Sequence, residues 1–177
     1  KPVASELAEV DKIARACDRA NIKMAIAHQW RAMPAIKKAI IDVKSNKYGQ
    51  LLRMWARPKD DSRGGGEELL LHGTHLFDLM ITFAGLPRWV TGHILQDRRN
   101  ATISDTRQGK QPVGPIMGDS ISATFGFDQG IRGYFESTAN LAIPNRSKFS
   151  NLFGLSLECE LARIELREPG NYFVYPA

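Results

Sequence analysis

The sequence predicts an α+β protein. We expect a two-layer, open, mainly antiparallel sheet with helices on one face, preceded by one helix–strand unit that looks like the tail of a βαβ sheet lacking its earlier strands. Short runs of alternating apolar and polar residues fill the later part of the chain. The clearest sets Ile121, Ala123, Phe125 and Phe127 against Ser120, Ser122, Thr124 and Gly126. The opening instead reads helix, continuous apolar run, helix, as an inner parallel strand between helices would. A length of 177 residues, 43% hydrophobic and 24% charged, suits one domain, or one domain and a piece of another.

The elements follow in order. Ser5 is placed to cap a helix with Glu6 and Glu9 in its first turn, near the positive end of the dipole. Leu7, Val10, Ala14 and Cys17 recur at helical spacing as its buried stripe, and Asn21 suits a left-handed stop. Residues 22–27 form the apolar run. Pro34 starts a second helix, with Ile36, Ile40 and Val43 inward and Lys37, Lys38 and Lys44 outward. Residues 51–57 alternate, Leu52, Met54 and Ala56 on one face and Arg53, Trp55 and Arg57 on the other. A polar loop through Asp60, Asp61 and Ser62 leads into Gly64-Gly65-Gly66. Thr74 is placed to cap a third helix carrying Leu76, Leu79, Met80 and Phe83, which Gly85 and Pro87 stop. Strands are expected at 89–96, 120–127, 131–138, 149–157 and 162–166, with Asp128-Gln129-Gly130 as a short hairpin turn. The loop over 97–118 is long enough to be a flap or an oligomer arm.

Composition excludes several classes. No apolar run approaches the ~20 residues of a membrane span, and the polar start lacks a secretory signal, so no membrane partner is expected. Cys17 and Cys159 make neither a disulfide framework nor a zinc site, which fits a reducing cytoplasm. A net charge of +5 permits nucleic acid without requiring it. The basic residues fall in two groups, Lys37, Lys38, Lys44 and Lys47, then Arg98, Arg99, Arg107 and Lys110. Neither interleaves with aromatic platforms, so no nucleic-acid partner is expected. The chain does not begin with Met, and residue 1 is expected not to be the natural start.

Four histidines, His28, His72, His75 and His93, are the scarce chemical resource. His72, His75 and Asp78 stand at i, i+3 and i+6, which admits a metal site. The plainer reading, which we favour, has His75 hydrogen-bonding at a helix start and Asp78 facing solvent, with no metal. No Gly-x-Gly-x-x-Gly fingerprint and no phosphate-cradling Lys-Ser/Thr loop occurs.

Taken in order, the pieces resemble a family. Lys1-Pro2, the capped helix, Met24-Ala25-Ile26-Ala27-His28-Gln29-Trp30-Arg31 with Pro34 following, Gly49 before a strand, Gly64-Gly65-Gly66, Gly73-Thr74-His75-Leu76-Phe77-Asp78 and Gly85-Leu86-Pro87 look like the glucose–fructose oxidoreductase, inositol dehydrogenase and rhizopine catabolism (Gfo/Idh/MocA) family. The resemblance implies a chain that begins inside the family's Glu-Lys-Pro motif. Residues 1–32 would be the remnant of a dinucleotide-binding Rossmann domain. Residues 33–177 would be the C-terminal α+β domain for substrate binding and oligomerisation.

It also implies hydride transfer between NAD or NADP and a sugar, cyclitol or related polyol in the full-length protein. The fragment alone is expected to be inactive and to hold no cofactor. By the same resemblance His75 is the catalytic acid/base and Lys1 the alkoxide-stabilising ammonium. Lys1, Pro2 and Arg31 then lie at the cofactor, and Arg31, His72 and Asp78 at the substrate. A salt bridge at the domain junction is an equal reading of Arg31. Leu71 stands where the family usually has Asp four residues before the catalytic His. That departure favours an alternative, a catalytically silent relative binding a sugar or protein partner in regulation; a metal-assisted hydrolase or lyase is the third reading. Glu158-Cys159-Glu160-Leu161 replaces a glycine-bearing turn, so this hairpin must bend differently or run on as a longer strand.

Large apolar groups on both sheet faces predict a homo-oligomer, dimer or tetramer, through the sheet. Trp55 lies opposite the Met54 face and Tyr134 opposite Phe135, while Phe149, Phe153 and Leu155 share one side with Leu152 on the other. The competing arrangement folds the 97–118 loop over that second face.

Overall fold

The computed structural model describes residues 1–141, 153–167 and 170–177. It is α+β, and a single sheet organises it. Eight strands lie in the order β10-β9-β8-β1-β7-β6-β2-β3. They are β1 (Leu51–Arg57), β2 (Trp89–Gln96), β3 (Arg99–Asn100), β6 (Ser120–Gly126), β7 (Arg132–Thr138), β8 (Gly154–Cys159), β9 (Ala162–Arg167) and β10 (Asn171–Pro176). β4 (Arg107–Gln108) and β5 (Pro115–Ile116) make a separate small hairpin. Among the described strands only β1 and β7 run parallel; the other neighbours in the large sheet are antiparallel.

Three helices cover one face: α2 (Pro34–Lys44), α3 (Gly66–Leu71) and α4 (Gly73–Ala84). Ile36, Ala39 and Val43 of α2 and Leu76, Leu79 and Met80 of α4 are buried with Met54, Phe135, Leu155, Leu157, Ile164 and Leu166 from the strands. Pro34 sits at the helix start with Met33 extended before it, as the pyrrolidine ring requires. The buried Asp42 ties α2 to the last strand through the Tyr172 hydroxyl, and also accepts from Lys38, Lys47 and the Tyr48 hydroxyl.

Several expectations are corrected. α1 (Leu7–Ala20) is N-capped by Glu6, not Ser5, with no side-chain cap hydrogen bond. Its stripe is not buried: no residue of α1 reaches the core, and Leu7 is exposed. Residues 22–27 form no strand, and Ile22, Met24 and Ile26 are exposed. A parallel strand needs neighbours for its ladder, and no described strand runs beside this one. Asn21 does end α1 in the left-handed region, at φ 51°.

In β1, Met54 and Ala56 are buried, but Leu52 is exposed and Leu51 packs on the core instead. A register shift between Leu51 and Arg53 against β8 makes Leu52 the extra residue of a bulge. α3 was not anticipated, and α4 is capped at His72 rather than Thr74, whose hydroxyl donates to the Leu71 carbonyl. β3, β4, β5 and β10 are additional to the expected strands.

The β8–β9 hairpin bends tightly at Glu160-Leu161 without glycine. Of the strand expected at 149–157, Phe149 and Leu152 lie outside the described residues, while Phe153, Leu155 and Leu157 are buried. The later part of the 97–118 loop packs toward α3, not across the second sheet face. Lys110 Nζ donates to the Ser62 carbonyl and the Gln111 amide donates to the buried Glu67. Among the described residues that second face is open. Trp55 and Tyr134 stack there at 5.4 Å between centroids, in a depression of about 600 Å³ rimmed by His93, Glu136, Arg163 and Arg167.

Candidate functional site

The start of α4 and the short 3-10 turn Gln29–Ala32 meet at one end of the helical layer. α3 and α4 abut at His72, so His72 and His75 fall on the first turn of α4 and Asp78 one turn on. The glycines before α3 let this corner close. Gly64 sits so near Thr138 and Ala139 that an added Cβ would lie 2.2 Å from the Ala139 nitrogen. The Gly65 amide donates to Ser137 Oγ at 2.9 Å.

His75 is 2% exposed, and its Nδ1 is buried with no hydrogen-bond partner. Burial is the main reason its pKa is lowered to about 4; the nearby positive charge of Lys1 adds to this, followed by His28, His72 and the α-ammonium. At neutral pH it is therefore an uncharged imidazole. The His28 ring meets it edge to face at 5.4 Å between centroids, and the His72 ring lies at 6.5 Å.

The remaining groups are held by partners. His72 Nδ1 is 2.7 and 2.9 Å from the carboxylate oxygens of Glu68, which is fully buried and lies 3.5 Å from the Arg63 guanidinium. Asp78 does not face solvent. It accepts two hydrogen bonds from Arg31, at 3.0 Å from Nε and 2.5 Å from the terminal nitrogen, and His28 Nδ1 is 3.4 Å from the same carboxylate. Arg31 is thus the bridge between the 3-10 turn and α4. Lys1 is exposed, and Pro2 is half-buried behind it.

The structure therefore gathers His75, His72, Asp78, Arg31 and the charge of Lys1 at one end, with His93 apart on the sheet. Two further members, Glu68 and His28, have no site role in the sequence reading. Glu68 lies four residues before His72, a spacing that pairs charges on a helix. His28 stands in the segment that also supplied Arg31, but nothing local shows that it reaches α4. Among the described residues no group of three or more His, Cys, Asp or Glu side chains is disposed to hold a metal ion. His72 and Asp78 are instead committed to Glu68 and Arg31.

The fold is one that solved NAD-binding oxidoreductases share. An NAD-binding oxidoreductase from Klebsiella pneumoniae superposes with a TM-score of 0.70 at 19% identity, over 99% of this chain and 49% of that one. The WlbA dehydrogenase from Bordetella pertussis, solved with NADH and UDP-GlcNAcA, matches at TM-score 0.67 and 15% identity, over 94% and 47%. A super-repressor mutant of Gal80p from Saccharomyces cerevisiae matches at 0.66 and 10%, over 99% and 52%. The chain spans about half the length of these structures. No protein-family model and no curated protein matches it. Among the described residues no helix is long and apolar enough to cross a membrane.

Proposed function

We propose that the chain is the C-terminal half of a nicotinamide-dependent oxidoreductase of the Gfo/Idh/MocA type, acting in the cytoplasm on a sugar, cyclitol or related polyol. Residues 1–32 then belong to the end of its dinucleotide-binding domain and 33–177 to its substrate and assembly domain. The observation that carries this reading is His75, a buried, neutral imidazole beside the charge of Lys1. A carbinol being oxidised must shed its hydroxyl proton, and the oxygen needs a cation while it carries charge. His75 accepts that proton and Lys1 stabilises the alkoxide. A bound NAD or NADP supplies the hydride acceptor or donor.

The residues present fit the nicotinamide end of such a cofactor and not its phosphates. The buried His75 ring feels the charge of Lys1, while no glycine fingerprint occurs in the sequence. Arg31 serves by tying down Asp78, which fixes the helix that carries His75.

In the complete gene product His75→Gln should lower kcat by about 10²–10⁴ while the circular dichroism spectrum is kept. An unchanged kcat in a folded variant would move the base elsewhere. A second reading, a silent relative that binds a sugar or protein partner, is favoured by Leu71 and by the likeness to Gal80p. It requires that no polyol in a broad panel reduces either nicotinamide cofactor.

A further inference from the structure

His75 is not the only buried nitrogen here without a partner: His28 Nε2 is buried and unpaired as well. Buried polar atoms are almost always satisfied, so two orphans on adjacent rings need an explanation. The rings stand edge to face, 5.4 Å between centroids. His28 Nδ1 lies 3.4 Å from Asp78, whose carboxylate is already clamped by Arg31. A carboxylate only accepts, so Asp78 favours the His28 tautomer with hydrogen on Nδ1 and leaves Nε2 as a bare acceptor. The orphan Nδ1 of His75 is complementary if it carries the hydrogen. Bringing the two nitrogens together requires the rings to turn toward each other, and catalytic hydrogen bonds commonly tighten only when substrate binds.

We infer that Asp78, His28 and His75 form a proton relay, with His28 the positioning residue that sets the tautomer of His75 and takes the proton on from it. The inference rests on His75 being the base. His75 Nε2 accepts the substrate hydroxyl proton while the hydrogen on its Nδ1 passes to His28 Nε2. One proton enters His75 and one leaves, so His75 ends neutral with its tautomer exchanged. His28 ends as the imidazolium, held against the Asp78 carboxylate. Arg31 on the same turn shares the Asp78 carboxylate with His28, and Lys1 and His72 are the other charged or titratable groups that act on His75. His72 is the poorer relay partner: its ring is farther from His75 and its Nδ1 is committed to Glu68.

The test needs no activity. Long-range proton–nitrogen correlation spectra of the 177-residue chain, with ¹⁵N-labelled histidine at pH 7, read each tautomer directly. His28 and His75 should both carry hydrogen on Nδ1, with Nε2 bare. His28→Phe and Asp78→Asn should each shift His75 toward the Nε2–H form, and His72→Gln should leave it in place. A hydrogen on His28 Nε2, or a His75 tautomer indifferent to both substitutions, would overturn the relay. The wild-type spectrum decides the first of these even where a variant fails to fold. In the complete gene product His28→Gln should lower kcat roughly tenfold or more and change its pH profile. If His28→Gln is silent while His75→Gln is disabling, the relay fails and the proposed function stands.

Discussion

His75 carries both the chemistry and a cost to the fold. Unfolded, it takes up a proton near pH 6.5; folded, it does so only at about 4, because burial and neighbouring positive charge oppose the imidazolium. Between those values the unfolded chain holds the extra proton, so stability falls as pH drops from about 6.5 toward about 4. Above pH 6.5 the penalty is absent. Urea titrations of wild type and His75→Gln at pH 7 and pH 5 should show a smaller loss of midpoint for the variant on acidification. Equal losses would mean that His75 is not held neutral by the fold. The same depressed pKa predicts that a rate depending on neutral His75 shows no inflection near 6.5 from this group.

At the scale of elements, the glycine run before α3 does more than turn the chain. Gly65 is in the left-handed region at φ 81°, and Gly64 lies against the end of β7 where an added Cβ would meet backbone, not a movable side chain. Backbone cannot yield as a side-chain tip can. Gly64→Ala should therefore destabilise the chain by about 1–3 kcal/mol. It should also loosen the Gly65–Ser137 bond and with it the corner that carries Glu68, His72 and His75. Thermal melts check the first effect, and amide exchange at Gly65 and Glu68 the second. An unchanged melting temperature would show that this strap is not closely packed. The bulge in β1 is a second local device. It rotates Leu51 onto the core while keeping Trp55 on the open face.

At the scale of the molecule, the open sheet face is the one that carries exposed aromatic side chains. Trp55 and Tyr134 stack there, Arg53 lies 5.6 Å from the Trp55 ring, and Phe173 and Tyr175 are exposed farther along. The helices take one face, and the later part of the 97–118 loop turns toward α3. We propose that a second copy covers the second face; related by a two-fold axis, it would bury the same patch twice. Sedimentation equilibrium at micromolar concentration should return at least twice the 19.7 kDa chain mass, and Tyr134→Glu should shift it toward monomer. A monomer throughout that range would defeat the interface.

The sequence by itself determined the strands whose alternation is strong, β6 and β7, and the helices whose ends carry local signals, Pro34 before α2 and Gly85 after α4. It also determined the two-layer arrangement, because period-two and period-3.6 patterns bury residues by local geometry alone. It placed His72, His75 and Asp78 together, since three residues apart on a helix is a local distance. Only the tertiary structure decided that residues 22–27 pair with no described strand, that Leu52 is the extra residue of a bulge, and that Asp78 faces Arg31 rather than solvent. Strand pairing, register and ion pairs depend on segments far apart in sequence, and no short window contains both partners. His28 is the clearest case. It stands 47 residues before His75, in a segment with no regular period, and only packing puts the two rings side by side.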